Sequence, residues 1–126
     1  MRFFRTGLLL TLIGYWIAMA VLTHLPKVPG VPQMGDKTTH FVGFAALGAL
    51  LYLCALATGR ASSRTGLFVL TIVSLYAAFD EITQPLTGRS CSFVDWMADL
   101  SGAAAAVMVM GNAHWAVLRV WRNTRS

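Results

Sequence analysis

Four long apolar stretches dominate the pattern along the chain, and short polar segments separate them. The stretches cover about 7–25, 38–58, 65–84 and 94–118. Each is close to the ~20 residues that a helix needs to cross the ~30 Å hydrocarbon core of a bilayer. The runs 47–56 and 102–111 lack the polar stripe, repeating about every 3.6 residues, that a water-facing helix shows. We therefore predict an all-α membrane protein with four transmembrane helices in a single domain, 1–126.

Charge gives the expected orientation of these helices. Hydrophobic residues make up 56% of the chain and charged residues 12%, which suits a bilayer better than water. The two termini and the middle loop share one side and carry most of the cations: Arg2, Arg5, Arg60, Arg64, Arg119, Arg122 and Arg125. Only Lys27, Lys37 and Arg89 lie on the other side. The positive-inside rule therefore predicts that both termini are cytoplasmic.

The first apolar stretch also has the outline of a cleavable signal peptide. Arg2 and Arg5 precede it, and Ala18-Met19-Ala20 has the form of a cleavage site. The apolar run continues through Val21-Leu22, however, and three more spans follow. We therefore expect a retained first helix.

The acidic residues are all grouped beside the outward ends of the helices. They are Asp36, Asp80, Glu81, Asp95 and Asp99. Carboxylates close to a membrane span are costly, so their grouping predicts an extracytoplasmic polar site. Residues four apart share a helix face, which places Asp36 with His40 and Asp95 with Asp99.

The third helix carries the deepest of these acids. If it begins near 65, Asp80 lies ~22 Å along it at ~1.5 Å per residue, a turn or more below the outer boundary. Gln84 follows on the same face, and Pro85 ends the helix because proline has no backbone N–H. Arg89 is the expected counter-charge for Asp80 and Glu81.

Helix capping is the alternative explanation for some of these residues. Ser92-x-x-Asp95 fits a capping box, and Asp36 after a glycine fits an N-cap. Capping explains much less for Asp80, Glu81 and Asp99, which lie further inside. His24 and His114 fall near helix ends and are expected at the membrane interface, which leaves His40 as the histidine among the carboxylates.

The two halves of the chain resemble each other at an offset of 59 residues. Aligning 5–58 with 64–117 gives 12 identities in 54 positions, against roughly 4 by chance in a chain of this composition. Shared membrane composition is one explanation. The other is a pair of helical hairpins related by a pseudo-two-fold along the membrane normal, with a site at their interface.

Two segments outside the candidate site, 26–35 and 119–125, have distinctive residue patterns. Pro26, Pro29 and Pro32 make the outer 26–35 connection stiff, as a roof over the site or as a spacer. The C-terminal segment 119–125 combines arginines with Trp121, which indicates anchoring to anionic lipid rather than nucleic-acid binding. The bilayer is thus the expected partner. Cys54 and Cys91 lie at different depths, so no disulfide is expected between them.

Three blocks within 36–106 carry a resemblance to a known family. They are Asp36-Lys37-x-x-His40-Phe41-x-x-Phe44-x-x-x-Gly48, Asp80-Glu81-x-x-Gln84, and Gly88-Arg89-Ser90-x-Ser92-x-x-Asp95-x-x-x-Asp99-x-x-Gly102. In this order they resemble the VanZ-like family of small bacterial membrane proteins, whose namesake is associated with low-level teicoplanin resistance. The resemblance implies a bacterial cytoplasmic (inner) membrane location. Members often have Asn where this chain has Asp99, which implies that a charge at 99 is dispensable.

The candidate site is the set of polar residues near the outer boundary: Asp36, Lys37, His40, Asp80, Glu81, Gln84, Arg89, Ser92, Asp95 and Asp99. No ligand spacing of a known metal or cofactor site is present, so neither is predicted, and no catalytic residue is assigned. One hypothesis is an envelope binding protein that affects glycopeptide susceptibility. Its pocket would hold a lipid-linked or cationic group, with Asp80, Glu81 and Asp95 as anions and with the other polar side chains of the pocket fixing its orientation. The second is an outer-leaflet enzyme with His40 as acid/base, or with the carboxylates holding a divalent cation, acting on a phospho- or glycolipid. The third is a polar cluster that only packs helices.

Overall fold

Four helices make up the fold. The computed structural model describes residues 2–25 and 36–125, and it contains no strand within those ranges. The helices are α1 (Arg2–Thr23), α2 (Asp36–Ala57), α3 (Thr65–Thr83) and α4 (Phe93–Asn123), with a 3-10 helix at Gln84–Thr87. Each of the four is long and apolar enough to cross a membrane. The all-α, four-span prediction is confirmed. The proline-rich segment 26–35 lies outside the described residues.

The end of α3 follows from two residues. Pro85 occupies the first turn of the 3-10 helix, where its missing N–H interrupts the α-helical hydrogen-bond pattern. Gly88 closes that helix with a φ of 77°, a left-handed conformation that glycine adopts without steric cost. Its backbone N–H donates to the carbonyls of Gln84 and Pro85. The chain thereby reverses direction between α3 and α4.

The closest helix packing joins α2 and α4, which have the most extensive contact of any pair. Gly102 of α4 lies directly against the backbone of Phe41, and Gly48 of α2 lies against Ala103. Small residues at such positions let helix backbones approach closely in lipid. The hydrophobic core comprises Leu12, Met19, Phe44, Leu47, Tyr52, Cys54, Val69, Val73, Ala77, Ala103 and Val107. Large apolar side chains such as Phe68, Phe79 and Ile82 are exposed, as expected for a lipid-facing surface.

Positions 59 residues apart meet at two points in the fold. His40 contacts Asp99, and His24 contacts Thr83. An approximate two-fold axis brings such equivalent positions together wherever they lie on the axis. The duplication itself stays a prediction, and these contacts agree with it.

Candidate functional site

A buried polar cluster occupies the N-terminal ends of α2 and α4 and the C-terminal end of α3. Its members are less than a tenth exposed: His40, Asp80, Glu81, Gln84, Asp95 and Asp99. Of the other predicted site residues, Lys37 is exposed, while Arg89 and Ser92 are half-buried at the rim. Asp36 is the first residue of α2, and its side chain lies outside the described part of the structure. The structure thus brings most of the predicted site into one group.

His40 and Asp99 form the innermost pair. Nδ1 of His40 lies 2.9 Å from Oδ1 of Asp99, and the two side chains are 3% and 0% exposed. In the described part of the chain, no donor reaches the other oxygen of Asp99, Oδ2. Sequence spacing grouped Asp99 with Asp95 on one helix face, whereas the contact that Asp99 makes is across helices, with His40.

The adjacent acids of α3 are held by neutral donors. Asp80 accepts hydrogen bonds from the Thr23 hydroxyl at 2.7 Å and from the Gln84 amide at 3.0 Å. The same amide donates to Oε1 of Glu81 at 3.3 Å, and the backbone N–H of Ser92 donates to Oε2 at 2.6 Å. Gln84 therefore joins the two carboxylates and fixes their orientation. The role of Arg89 as their counter-charge stays a prediction.

Ser92 both caps α4 and contributes to the cluster. Its hydroxyl accepts from the backbone N–H of Asp95 at 3.2 Å, as the capping-box pattern predicts. In a complete capping box, the Ser92 N–H would bond the side chain at position 95. Here that N–H bonds Glu81 instead. Capping therefore does not account for the buried Asp95 carboxylate.

His24 belongs to the site, although its sequence position indicated only an interfacial residue. Its Nε2 lies 2.9 Å from the Thr83 hydroxyl, and its Nδ1 is 3.6 Å from Oδ1 of Asp80. The prediction that His40 alone among the histidines lies near carboxylates is therefore wrong. Thr23, the neighbour of His24, was missed as well. The available signal was the 59-residue offset, which pairs His24 with Thr83.

A cavity of about 470 Å³ opens between α1 and α2 beside this cluster. Its deeper wall is apolar and includes Ala18, Met19 and Val42. Its polar end, beside the N-terminus of α2, carries Thr38, Thr39, His40 and Arg89. Among the lining residues that the structure describes there is no carboxylate, and Arg89 is the cationic side chain. The cavity is thus apolar at one end and polar at the other, as an amphiphilic molecule is.

Two other cavities lie away from the cluster. One of about 530 Å³ runs between α3 and α4, and its described lining, which includes Leu70, Leu100 and Ala103, has no ionisable side chain. The other, of about 480 Å³, lies at the opposite end of the helices beside Arg60 and Arg64. Although the first is slightly larger, the α1–α2 cavity is the one of these three whose described lining includes His40.

The fold and the site define a polytopic membrane protein with a buried acid–histidine cluster at one end of its helices. The VanZ/LLP1 family model matches residues 9–114. The chain therefore belongs to the VanZ/LLP1 family. No match was found among curated proteins or among solved structures.

Proposed function

We propose that this protein binds the anionic head group and the first chain carbons of a lipid-linked envelope component. The observation that carries the proposal is the α1–α2 cavity, with its apolar inner wall and its Thr38, Thr39 and Arg89 end. A guanidinium suits phosphate because its donors form charge-assisted hydrogen bonds. The apolar wall suits an alkyl or polyprenyl chain.

The cavity favours an anion over a cation. The carboxylates Asp80, Glu81 and Asp99 are buried among the helices and are absent from the described lining of the cavity. Arg89 and His40 face it instead. A cationic head group would therefore meet the like charge of Arg89 there, whereas a phosphate would be attracted to it. The ligand class that fits is a lipid phosphate or diphosphate.

The proposed location is the outer leaflet of the bacterial cytoplasmic membrane, with both termini inside the cell. This orientation rests on the excess of Lys and Arg at the termini and in the 60–64 loop. In that setting, a lipid-linked cell-wall precursor bound to the protein is shielded from glycopeptides, and susceptibility to these antibiotics therefore falls. Family membership supports the envelope setting.

Replacing Arg89 with Gln is expected to weaken binding of a polyprenyl phosphate about 10- to 100-fold, the equivalent of one hydrogen bond to a charged group. Native mass spectrometry of the purified protein measures the bound fraction. Ala18→Leu, which fills the apolar wall without changing charge, should also reduce binding. Arg5→Gln is the matched control because Arg5 is exposed near the other end of α1.

The choice of probes separates head group from chain. Polyprenol, which lacks the phosphate, and inorganic phosphate, which lacks the chain, should each bind more weakly than polyprenyl phosphate. Phosphatidylcholine should not compete because its head group has no net charge. Equal binding of all four probes, or unchanged binding by Arg89→Gln, would contradict the proposal.

The two cysteines provide a direct test of orientation. Cys91 is exposed and Cys54 is buried, and both are free thiols. A membrane-impermeant maleimide added to intact cells should label the wild-type protein at Cys91, and Cys91→Ser should remove the label. Labelling that requires permeabilised cells would place 88–92 in the cytoplasm and reverse the proposed topology.

The His40–Asp99 pair favours a second candidate, an outer-leaflet enzyme. A histidine oriented by a buried carboxylate is the arrangement of a general acid/base. Incubating the reconstituted protein with the same polyprenyl phosphate or diphosphate, and measuring released phosphate, tests this candidate. Turnover that disappears in Asp99→Asn, while the variant still binds the lipid, would favour the enzyme over the binding protein. A purely structural cluster predicts that such variants lose folded protein instead.

A further inference from the structure

Three side chains from three different helices converge at the centre of the buried cluster. His40 of α2, Glu81 of α3 and Asp99 of α4 each offer one ligand atom, and these atoms lie within 4.8 Å of one another. All three are buried. We propose that they hold a divalent transition-metal ion. This site goes beyond the lipid proposal and does not depend on it.

The charge of the cluster calls for a cation. Four buried carboxylates lie at this end of α3 and α4: Asp80, Glu81, Asp95 and Asp99. Among the described residues that are less than a tenth exposed, His40 is the one basic side chain. Buried carboxylates are strongly unfavourable unless they are neutralised or coordinate a metal. A divalent ion removes two negative charges at the point where the helices meet.

Asp99 gives an independent indication of a ligand. It is 0% exposed, and its Oδ2 has no hydrogen-bond donor in residues 2–25 and 36–125. A buried carboxylate oxygen left without a partner carries the full cost of its desolvation. A cation that both oxygens of the Asp99 carboxylate contact satisfies Oδ2 while Oδ1 stays beside Nδ1 of His40.

The distances fit a small ion. Two ligand atoms that are each ~2.1 Å from one ion lie ~3.0–3.4 Å apart, and Nδ1 of His40 and Oδ1 of Asp99 are 2.9 Å apart. The ligand atom of Glu81 lies within 4.8 Å of the other two. With Nδ1 as ligand, the ion takes the place of the proton shared by His40 and Asp99.

The ligand types and their surroundings narrow the choice of ion. One imidazole nitrogen with two carboxylates suits Zn²⁺ or Mn²⁺ better than Mg²⁺ or Ca²⁺, which prefer oxygen ligands. Gln84 and the Ser92 N–H hold the Glu81 carboxylate by hydrogen bonds, as outer partners do around metal ligands. Because His40 also lines the α1–α2 cavity, the ion would lie beside that cavity. The sequence contains no local metal-binding motif because the three ligands lie on separate helices.

Metal titration of the chelator-stripped, purified protein tests the site with Mn²⁺ and Zn²⁺ alone. We expect one Mn²⁺ per chain, with an electron paramagnetic resonance spectrum that shows coupling to a histidine nitrogen. Glu81→Gln should weaken binding by about 100-fold or more, because outer partners alone contribute about 10- to 100-fold. His40→Ala should remove the nitrogen coupling. If His40→Ala does not fold, Glu81→Gln carries the test.

Asp95→Asn is the matched control, since Asp95 is buried in the same cluster but is not one of the three ligands. The affinity of this variant for Mn²⁺ should stay within about threefold of the wild-type affinity. Such a change is well under the ~1.4 kcal/mol that corresponds to a tenfold effect. No stoichiometric binding, an unchanged affinity in Glu81→Gln, or an equal loss in Asp95→Asn would each overturn the site. Arg89→Gln should leave metal binding intact, so that failure of the ion site and failure of the lipid site are told apart.

Discussion

Replacing Gly102 with Ala is expected to destabilise the folded protein by about 3 kcal/mol or more, at the upper end of overpacking effects. A methyl group built on Gly102 would overlap the carbonyl oxygen of Phe41, and it would also press on the Cα and carbonyl carbon of that residue. The obstacle is backbone rather than a flexible side chain, so α2 and α4 must separate to relieve it. Unfolding by SDS in mixed micelles, followed by circular dichroism, measures the change.

Gly14→Ala is the control for this substitution. Gly14 lies inside α1, and a methyl group there meets no atom within 4 Å. Alanine is the better helix former by ~1 kcal/mol, so this variant should be as stable as the wild type or more stable. Equal stability of the Gly102→Ala and Gly14→Ala variants would show that the α2–α4 contact is looser than described.

Replacing His40 with Ala is expected to cost about 3–5 kcal/mol, the range for removing one partner of a buried charged pair. The loss leaves Asp99 fully buried, without the contact that its Oδ1 makes in the wild type. The same SDS titration, performed on metal-free protein, measures the effect.

A double-mutant cycle isolates the pair. Combining His40→Ala with Asp99→Ala removes the buried carboxylate together with its partner, so the double variant should be more stable than His40→Ala alone. The coupling between the two positions should exceed the ~0.6 kcal/mol average of hydrogen bonds inside membranes because a charge is involved. Additive effects would indicate that the 2.9 Å contact contributes little to stability.

The helices, and the end of the helices at which the site lies, could be predicted because both depend on length along the chain. A bilayer has a fixed thickness, so apolar runs of about 20 residues become spans. Counting residues along α3 then placed Asp80 about one turn before its C-terminal end, where the structure has it. Pro85 marked the end of α3, and Ser92 marked the start of α4. Each of these features is encoded by neighbouring residues.

The partners within the site could not be predicted, because they depend on how each helix is rotated about its own axis. Sequence spacing placed Asp99 on the same helix face as Asp95. In the structure, Asp99 contacts His40 across the α2–α4 interface, at which Gly102 also approaches Phe41. The sequence likewise predicted only a membrane-interface position for His24, because the rotation of α1 about its own axis was not known. Nothing local in its sequence shows that α1 brings it beside Asp80 and Thr83.

The meeting of positions 40 and 99 has a consequence for how such a site can arise. In a symmetric dimer of identical hairpins, a residue on the two-fold axis faces its own copy, so histidine can only face histidine and aspartate only aspartate. If the two hairpins of this chain descend from one ancestor, joining them allowed the two copies of one position to diverge. An acid could then face a base, as Asp99 faces His40. The same holds for the hydroxyl of Thr83, which faces the ring of His24.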